Sequence, residues 1–202
     1  MPLWLDRHPL VLASRSDIRG KILAAAGLRL AIRPAQIDER AMEAQAGLED
    51  PVAIAALLAR AKAAAVAASM PGHIVLGADQ TLALGAERFS KPINREDAAR
   101  QLRALRGKTH VLSSALSLVR DGEILYEFVE SARLTMREFD ERFLDLYLDL
   151  AGTTALASVG AYQLEGIGVH LFEHVEGDYF TVLGLPLLPL LAYLRAKGFV
   201  DG

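Results

Sequence analysis

Apolar positions along the chain form short alternating runs and longer helical stripes. Leu10–Ala13 is an apolar run followed by Ser14 and Ser16, then by a helical pattern that ends at Gly27. That order predicts strand, serine-rich turn and helix, with Gly27 closing the helix. Leu28–Pro34 predicts a second strand and Gln36–Arg40 a polar loop. Pro51, favoured at a first helical position, opens a long helix carrying Val52, Ile54, Leu57, Leu58, Ala61 and Ala65 along one side, and Pro71-Gly72 stops it. His73–Ala78 predicts a strand and Gly85-Ala86 a turn, and Asn94 with Asp97 starts a helix that ends near Gly107. Thr109–Val119 and Glu123–Met136 predict two long strands joined at Arg120-Asp121-Gly122, where Asp-Gly is a hairpin signal. Glu138–Leu150 reads as an amphipathic helix. Short strands between Gly160, Gly166, Gly168 and Gly177 follow Gly152, and Leu187–Lys197 is a last helix. Strands and helices alternate early and a hairpin comes later, so the expected fold is α/β, a mixed β-sheet with flanking helices.

Composition narrows the function classes. A chain of 202 residues with 52% hydrophobic content can bury a core without staples, and it carries too much apolar surface to remain disordered. One domain spanning 1–202, with two lobes, is the expectation. The 25 acidic and 22 basic residues leave a net charge of −3, which argues against a basic nucleic-acid-binding face; aromatic residues are not interleaved with Lys and Arg either. With no cysteine there is no thiol nucleophile, disulfide or cysteine-bound metal. The longest uncharged stretch, Tyr179–Leu194, is broken by Gly184, Pro186 and Pro189 and falls short of the ~20 residues a membrane span needs. Asp6 and Arg7 interrupt any apolar leader, so the expected location is cytoplasmic.

Candidate chemistry falls in a few places. The turn Ser14-Arg15-Ser16 leads into a helix N-terminus with Arg19 one turn on, and free N–H groups there favour an anion; plain helix capping is the simpler reading. Asp79 ends the apolar run Val75-Leu76-Gly77-Ala78, where a carboxylate can hold Mg²⁺ or orient a water; a turn aspartate is the simpler reading. Lys91, before Pro92, can reach a phosphate or stand on the surface. Lys62 lies in an otherwise apolar helix, where snorkelling explains it. Glycines crowd Val159–Gly166, Glu176–Tyr179 and Gly184–Pro186. His170 and His174 fall in an alternating stretch, so they are not a helical metal pair.

In this order the motifs are specific. LASRS with Arg19, Ile37-Asp38-Glu39, ARAKA around Lys62, LGADQ at Asp79, SKP at Lys91 and GAYQLEG followed by EGDYFTVLGLP together resemble the Maf family of nucleoside triphosphate pyrophosphatases, over Leu10 to Leu194. The resemblance implies hydrolysis between the α and β phosphates of a nucleoside triphosphate, aided by a divalent metal cation (Mg²⁺ or Mn²⁺). It also implies two lobes around a deep cleft, and a homodimer. Its substrate-binding turn falls on Ser14, Ser16 and Arg19, its catalytic aspartate on Asp79, its phosphate-side lysines on Lys62 and Lys91, and its second acidic position on Glu39, a metal ligand together with Asp79. Base choice falls on Ile18, Gln80 and Glu165. The family's dTTP/UTP branch has arginine, threonine and glutamine at these positions. The 7-methyl-GTP branch shares the glutamine and the glutamate but has tryptophan at position 18, so the chain is closer to that branch while lacking its aromatic face for a cationic base. The competing expectation is a nucleotide-binding regulator of cell division with little turnover.

Overall fold

Two short strands open the fold on either side of the first helix: β1 (Leu10–Leu12), α1 (Asp17–Ala25) and β2 (Leu30–Ile32). The structure, a computed structural model, describes residues 3–201, so positions 1, 2 and 202 of the expected span lie outside the described residues. Next come α2 (Glu39–Ala46), α3 (Pro51–Ala67), β3 (Val75–Leu84), β4 (Glu87–Phe89), α4 (Arg95–Leu105), β5 (Thr109–Arg120) and β6 (Glu123–Met136). The chain ends with α5 (Glu141–Ala151), three 3₁₀ turns, β7 (Phe172–Glu176), α6 (Tyr179–Val182) and α7 (Leu187–Ala196). The strands form a mixed sheet in the order β2-β1-β3-β5-β6-β7, with β4 also on β3. β1 runs parallel to β2 and β3, whereas β4 and β7 pair antiparallel to β3 and β6.

Two compact units divide the chain. The first holds residues 3–80, Ser114–Glu130 and the chain from Gly184; the second holds Thr81–Ser113 and Ser131–Leu183. Strands β3, β5 and β6 each contribute residues to both. In the first unit, α3 lies on the sheet through small residues. Ala55, Ala59 and Ala63, each four apart and fully buried, form one stripe, with Ala115, Val11, Val75 and Val119 in the same clusters. In the second unit, Leu82, Leu102, Leu105, Leu134, Leu144 and Leu171 are central to a single core.

Most elements match their sequence signals. The hairpin turn has positive φ at both Asp121 (50°) and Gly122 (84°), as a tight two-residue turn of that handedness requires. Asn94 caps α4 by accepting from the Asp97 amide at 2.8 Å. Three expectations need correction. Gln36–Arg40 is not wholly loop, because Asp38 accepts from the Ala41 amide and starts α2 at Glu39; that helix buries no residue, so no apolar stripe announced it. The strand expected to end at Ala78 runs on to Leu84, because Thr81, Leu82 and Ala83 continue it as buried positions after the polar pair Asp79-Gln80. The glycine-rich stretch after Gly152 holds 3₁₀ turns at Gly152–Leu156, Val159–Ala161 and Ile167–Leu171, and β7 is its one strand among the described residues. Glycines at positive φ bend that backbone, and His170 therefore lies in a turn while His174 lies on β7.

His110, on β5, is fully buried in the second unit, with its Nε2 2.7 Å from the Tyr162 hydroxyl. Burial pushes its imidazole down to about 4, from an ordinary value of 6.5. Above pH 6.5 the ring is neutral in folded and unfolded chains alike. Between 6.5 and about 4 only the unfolded chain takes the proton, so acidification removes stability. The full loss is about 3 kcal/mol between pH 7 and pH 4. Denaturant unfolding across that range checks this, and His110→Gln should flatten the dependence by the same amount.

Candidate active site

Asp79 and Gly77 are two residues apart on β3 and therefore project from the same face of the sheet, toward α3. A Cβ placed on Gly77 would come within 2.0 Å of the Ala59 carbonyl oxygen and 2.6 Å of the Ala63 nitrogen. Only glycine lets the helix backbone approach so closely. The approach has a chemical consequence, because Lys62 precedes Ala63 on that helix. Its Nζ donates to Asp79 Oδ1 at 2.6 Å and lies 3.0 Å from Glu39 Oε1. The Lys62 and Asp79 side chains are each only 12% exposed, whereas that of Glu39 is 46% exposed. The expected lone lysine on an apolar helix is thus the centre of an ion triad. Arg60, two residues earlier, makes a two-pronged pair with Glu127 instead.

Burial raises the Asp79 carboxyl above the ordinary carboxylate value, against the opposing pull of Lys62 and Arg19. Its Oδ2 accepts no hydrogen bond among the described residues. This carboxylate has one oxygen pinned by an ammonium and another left to accept a proton or meet a cation.

Arg19 is buried, and burial lowers its guanidinium from the ordinary value while Asp79 and Glu39 oppose the shift. Its Nε donates to the Gly184 carbonyl at 2.8 Å. Its Nη1 donates to the Ala78 carbonyl at 2.8 Å and to Ser14 Oγ at 3.2 Å. Arg19 therefore holds the peptide just before Asp79, and its Nη2 makes no hydrogen bond among the described residues. Ser14 Oγ also accepts the Ser16 amide at 3.2 Å, so this hydroxyl accepts twice and keeps its own proton to donate. Ser16 is the N-cap of α1 without a side-chain capping bond, and Ile18 is half-buried in the first turn. Gln80 donates through Nε2 to Ser114 Oγ at 3.0 Å.

Ser14, Ser16, Ile18, Arg19, Glu39, Lys62, Asp79 and Gln80 thus belong to the first unit, and direct bonds link Ser14 to Arg19 and Lys62 to both Glu39 and Asp79. Lys91 and Glu165 belong to the second unit, both exposed, on the segment after β4 and in the turn Leu164–Gly166. Two contributors were missed by sequence reasoning. Ser114 carries no motif, being one of several serines on β5. Gly184 stood only as one of a crowd of glycines, yet a Cβ there would meet Arg19 Nη2 at 3.1 Å and Gln80 Oε1 at 3.5 Å.

The described residues hold no cluster of three or more His, Asp or Glu side chains suited to a metal. The donor pair Glu39 and Asp79 nevertheless fits a small hard cation. Both carboxylates already converge on one positive charge, and Mg²⁺ takes one or two carboxylates with phosphate and water oxygens. No described helix is long and apolar enough to cross a membrane.

Residues 9–197 match the sequence family described as Maf-like protein. A nucleoside triphosphate pyrophosphatase of Bradyrhizobium diazoefficiens is 54% identical over 200 residues, 99% of each chain. One from Rhodopseudomonas palustris is 54% identical over 197 residues, 98% of each chain. A 7-methyl-GTP pyrophosphatase of Rhizobium etli is also 54% identical, over 96% of this chain and 98% of its own.

Proposed function

This chain belongs to the Maf-like protein family, and from that membership and the Lys62–Asp79–Glu39 triad we propose how it works as a nucleoside triphosphate pyrophosphatase. The overall reaction adds water across the α–β phosphoanhydride and yields a nucleoside monophosphate and pyrophosphate. The observation that carries the reading is the buried Asp79 carboxylate, held at one oxygen by Lys62 at 2.6 Å beneath the close approach of α3 at Gly77.

In this reading Asp79 Oδ2 accepts the proton of the attacking water as the oxygen closes on the α-phosphorus. Lys62 keeps the carboxylate oriented and offsets charge gathering on the phosphate oxygens. Ser14 donates its hydroxyl proton and Arg19 its Nη2 edge to the same oxygens, with Ser16 beside them on the turn. Arg19 also fixes the Ala78 carbonyl, so one residue serves both the phosphate and the position of the base. Glu39, together with Asp79 in the alternative where Oδ2 meets a cation rather than the water's proton, would hold a divalent cation, Mg²⁺ or Mn²⁺, which when bound supplies charge neutralisation at the phosphates.

For the nucleobase, Ile18, Gln80 and Glu165 favour a guanine-like edge over a pyrimidine. A carboxylate at 165 accepts from both the N1–H and the amino group of guanine, whereas uracil or thymine offers one donor. Isoleucine at 18 withholds the cation–π attraction, worth roughly 0.5–2 kcal/mol, that an aromatic residue gives a methylated, cationic guanine. The likeness to the Rhizobium etli 7-methyl-GTP pyrophosphatase supports the purine side of this choice. A panel of nucleoside triphosphates with Mg²⁺ or Mn²⁺, followed by pyrophosphate release, is expected to rank guanine nucleotides above dTTP and UTP. An exclusive preference for dTTP and UTP overturns it. Absence of turnover on every nucleotide would instead favour a binding regulator.

A further inference from the structure

The turn preceding Glu165 is held in a backbone conformation that side chains rarely adopt. Gly160 has φ 75° and Ala161, which carries a Cβ, has φ 63°. An L-residue stays in that left-handed region only where its surroundings impose it. The surroundings here are two buried hydroxyl bonds. Tyr147 on α5 donates its phenol proton to the Ala161 carbonyl at 2.9 Å, and the Tyr162 hydroxyl lies 2.7 Å from His110 Nε2 on β5. Tyr147, Ala161, Tyr162 and His110 are all at most 4% exposed. Phe172 closes the far side, with its ring edge-on to Tyr162 at 4.7 Å.

Packing makes the turn rigid in the other direction as well. A Cβ on Gly160 would meet Leu82 Cδ1 at 2.6 Å and the Tyr162 ring at 2.8 Å, so the turn is pressed against the core. The next turn closes through the Gly166 amide, which donates to the Gln163 carbonyl at 3.2 Å, and Glu165 stands within it. A Cβ on Gly168 would come within 2.3 Å of the same Gln163 carbonyl, which locks the exit. Exposed Glu165 therefore sits on a short platform that cannot tilt without breaking one of these bonds. All of these groups belong to the second unit.

We propose that Tyr147 and Tyr162, the latter through His110, are positioning residues for base selection: their hydroxyl bonds fix the strained Gly160–Ala161 backbone and so set the angle at which the adjoining turn presents Glu165. This rests on the reading that Glu165 meets the nucleobase. Neither tyrosine touches the reacting phosphates in this account, so their loss alters the preference among bases more than the rate on a saturating substrate.

The test compares Tyr147→Phe, Tyr162→Phe and Glu165→Gln with the parent, measuring kcat and KM for GTP and UTP together with the thermal midpoint. Each phenylalanine removes one hydroxyl and keeps the ring. The expected result for Tyr147→Phe is a rise of about five- to tenfold in KM for GTP, an unchanged kcat, and a similar fall in the GTP:UTP ratio of kcat/KM, the scale of one hydrogen bond. Tyr162→Phe should behave alike and serves if the first variant does not fold. A lowered midpoint with an unchanged ratio makes the clamp structural only and overturns the proposal. An equal fall in kcat on both nucleotides overturns it too. If Glu165→Gln shifts the ratio and neither tyrosine variant does, the clamp fails while base reading stands. If Glu165→Gln also leaves the ratio unchanged, the base-reading assignment itself is wrong.

Discussion

Asp79→Asn lowers pyrophosphate release by about 10²–10⁴-fold, the range that removal of a general base commonly costs. Asparagine has nearly the same volume, and its amide oxygen can still accept from Lys62, so the packing of β3 against α3 is retained. What disappears is the proton-accepting oxygen and one of the two charges facing the ammonium. Lys62 still has Glu39 at 3.0 Å, so the buried cation is not stranded and the thermal midpoint should stay within a few degrees of the parent. Loss of turnover with the fold retained is the signature of chemistry rather than structure. Initial rates at saturating nucleotide, set beside a thermal unfolding curve, measure both. A variant retaining activity within a few fold of the parent removes Asp79 from its role.

Gly77→Ala has the largest expected effect on stability. Its added methyl would sit 2.0 Å from a backbone oxygen and 2.6 Å from a backbone nitrogen of α3, and no rotamer change can relieve a clash with backbone. Overpacking a core typically costs 1–3 kcal/mol, and a clash at this distance belongs at or above the upper end, about 3 kcal/mol. The helix must move off the sheet, carrying Lys62 from Asp79, so the residual folded protein also loses activity. Denaturant midpoints check the first claim and specific activity per folded molecule the second. Gly20→Ala is the control: it lies within α1, its added methyl would contact only the flexible end of Ile32 at 3.4 Å, and it should be neutral or stabilising by up to about 1 kcal/mol. Equal effects at both positions would mean that close approach at Gly77 does not matter.

Local signals with a mechanism carried over well from sequence to structure. Pro51 at a helix start, the Asn94–Asp97 cap and the Asp121-Gly122 hairpin each act within a few residues, and each is where the pattern put it. Polar elements without an apolar face were illegible. Helix α2 buries nothing, and only its Asp38 cap marks where it begins. The sequence pattern puts Asp79 at a strand's end because the apolar run stops at Ala78, yet its strand continues to Leu84 into a second core.

The candidate site was legible as a set of residue types but not as a set of partners. Nothing in spacing says that Lys62 bonds Asp79 across 17 positions, or that Arg19 reaches the Gly184 carbonyl across 165. Such pairings depend on how closely a helix can lie on a strand, and that in turn on Gly77 and the Ala55-Ala59-Ala63 stripe. The buried network of His110, Tyr147 and Tyr162 was missed because each residue is, by type, an ordinary core or surface residue.

Hydrolysis of GTP in ¹⁸O-enriched water, with the products resolved by mass, tests the central claim most directly. The account predicts one ¹⁸O atom in the guanosine monophosphate and unlabelled pyrophosphate, because water attacks the α-phosphorus and pyrophosphate leaves. Label in the pyrophosphate, or release of orthophosphate and a nucleoside diphosphate, would contradict it.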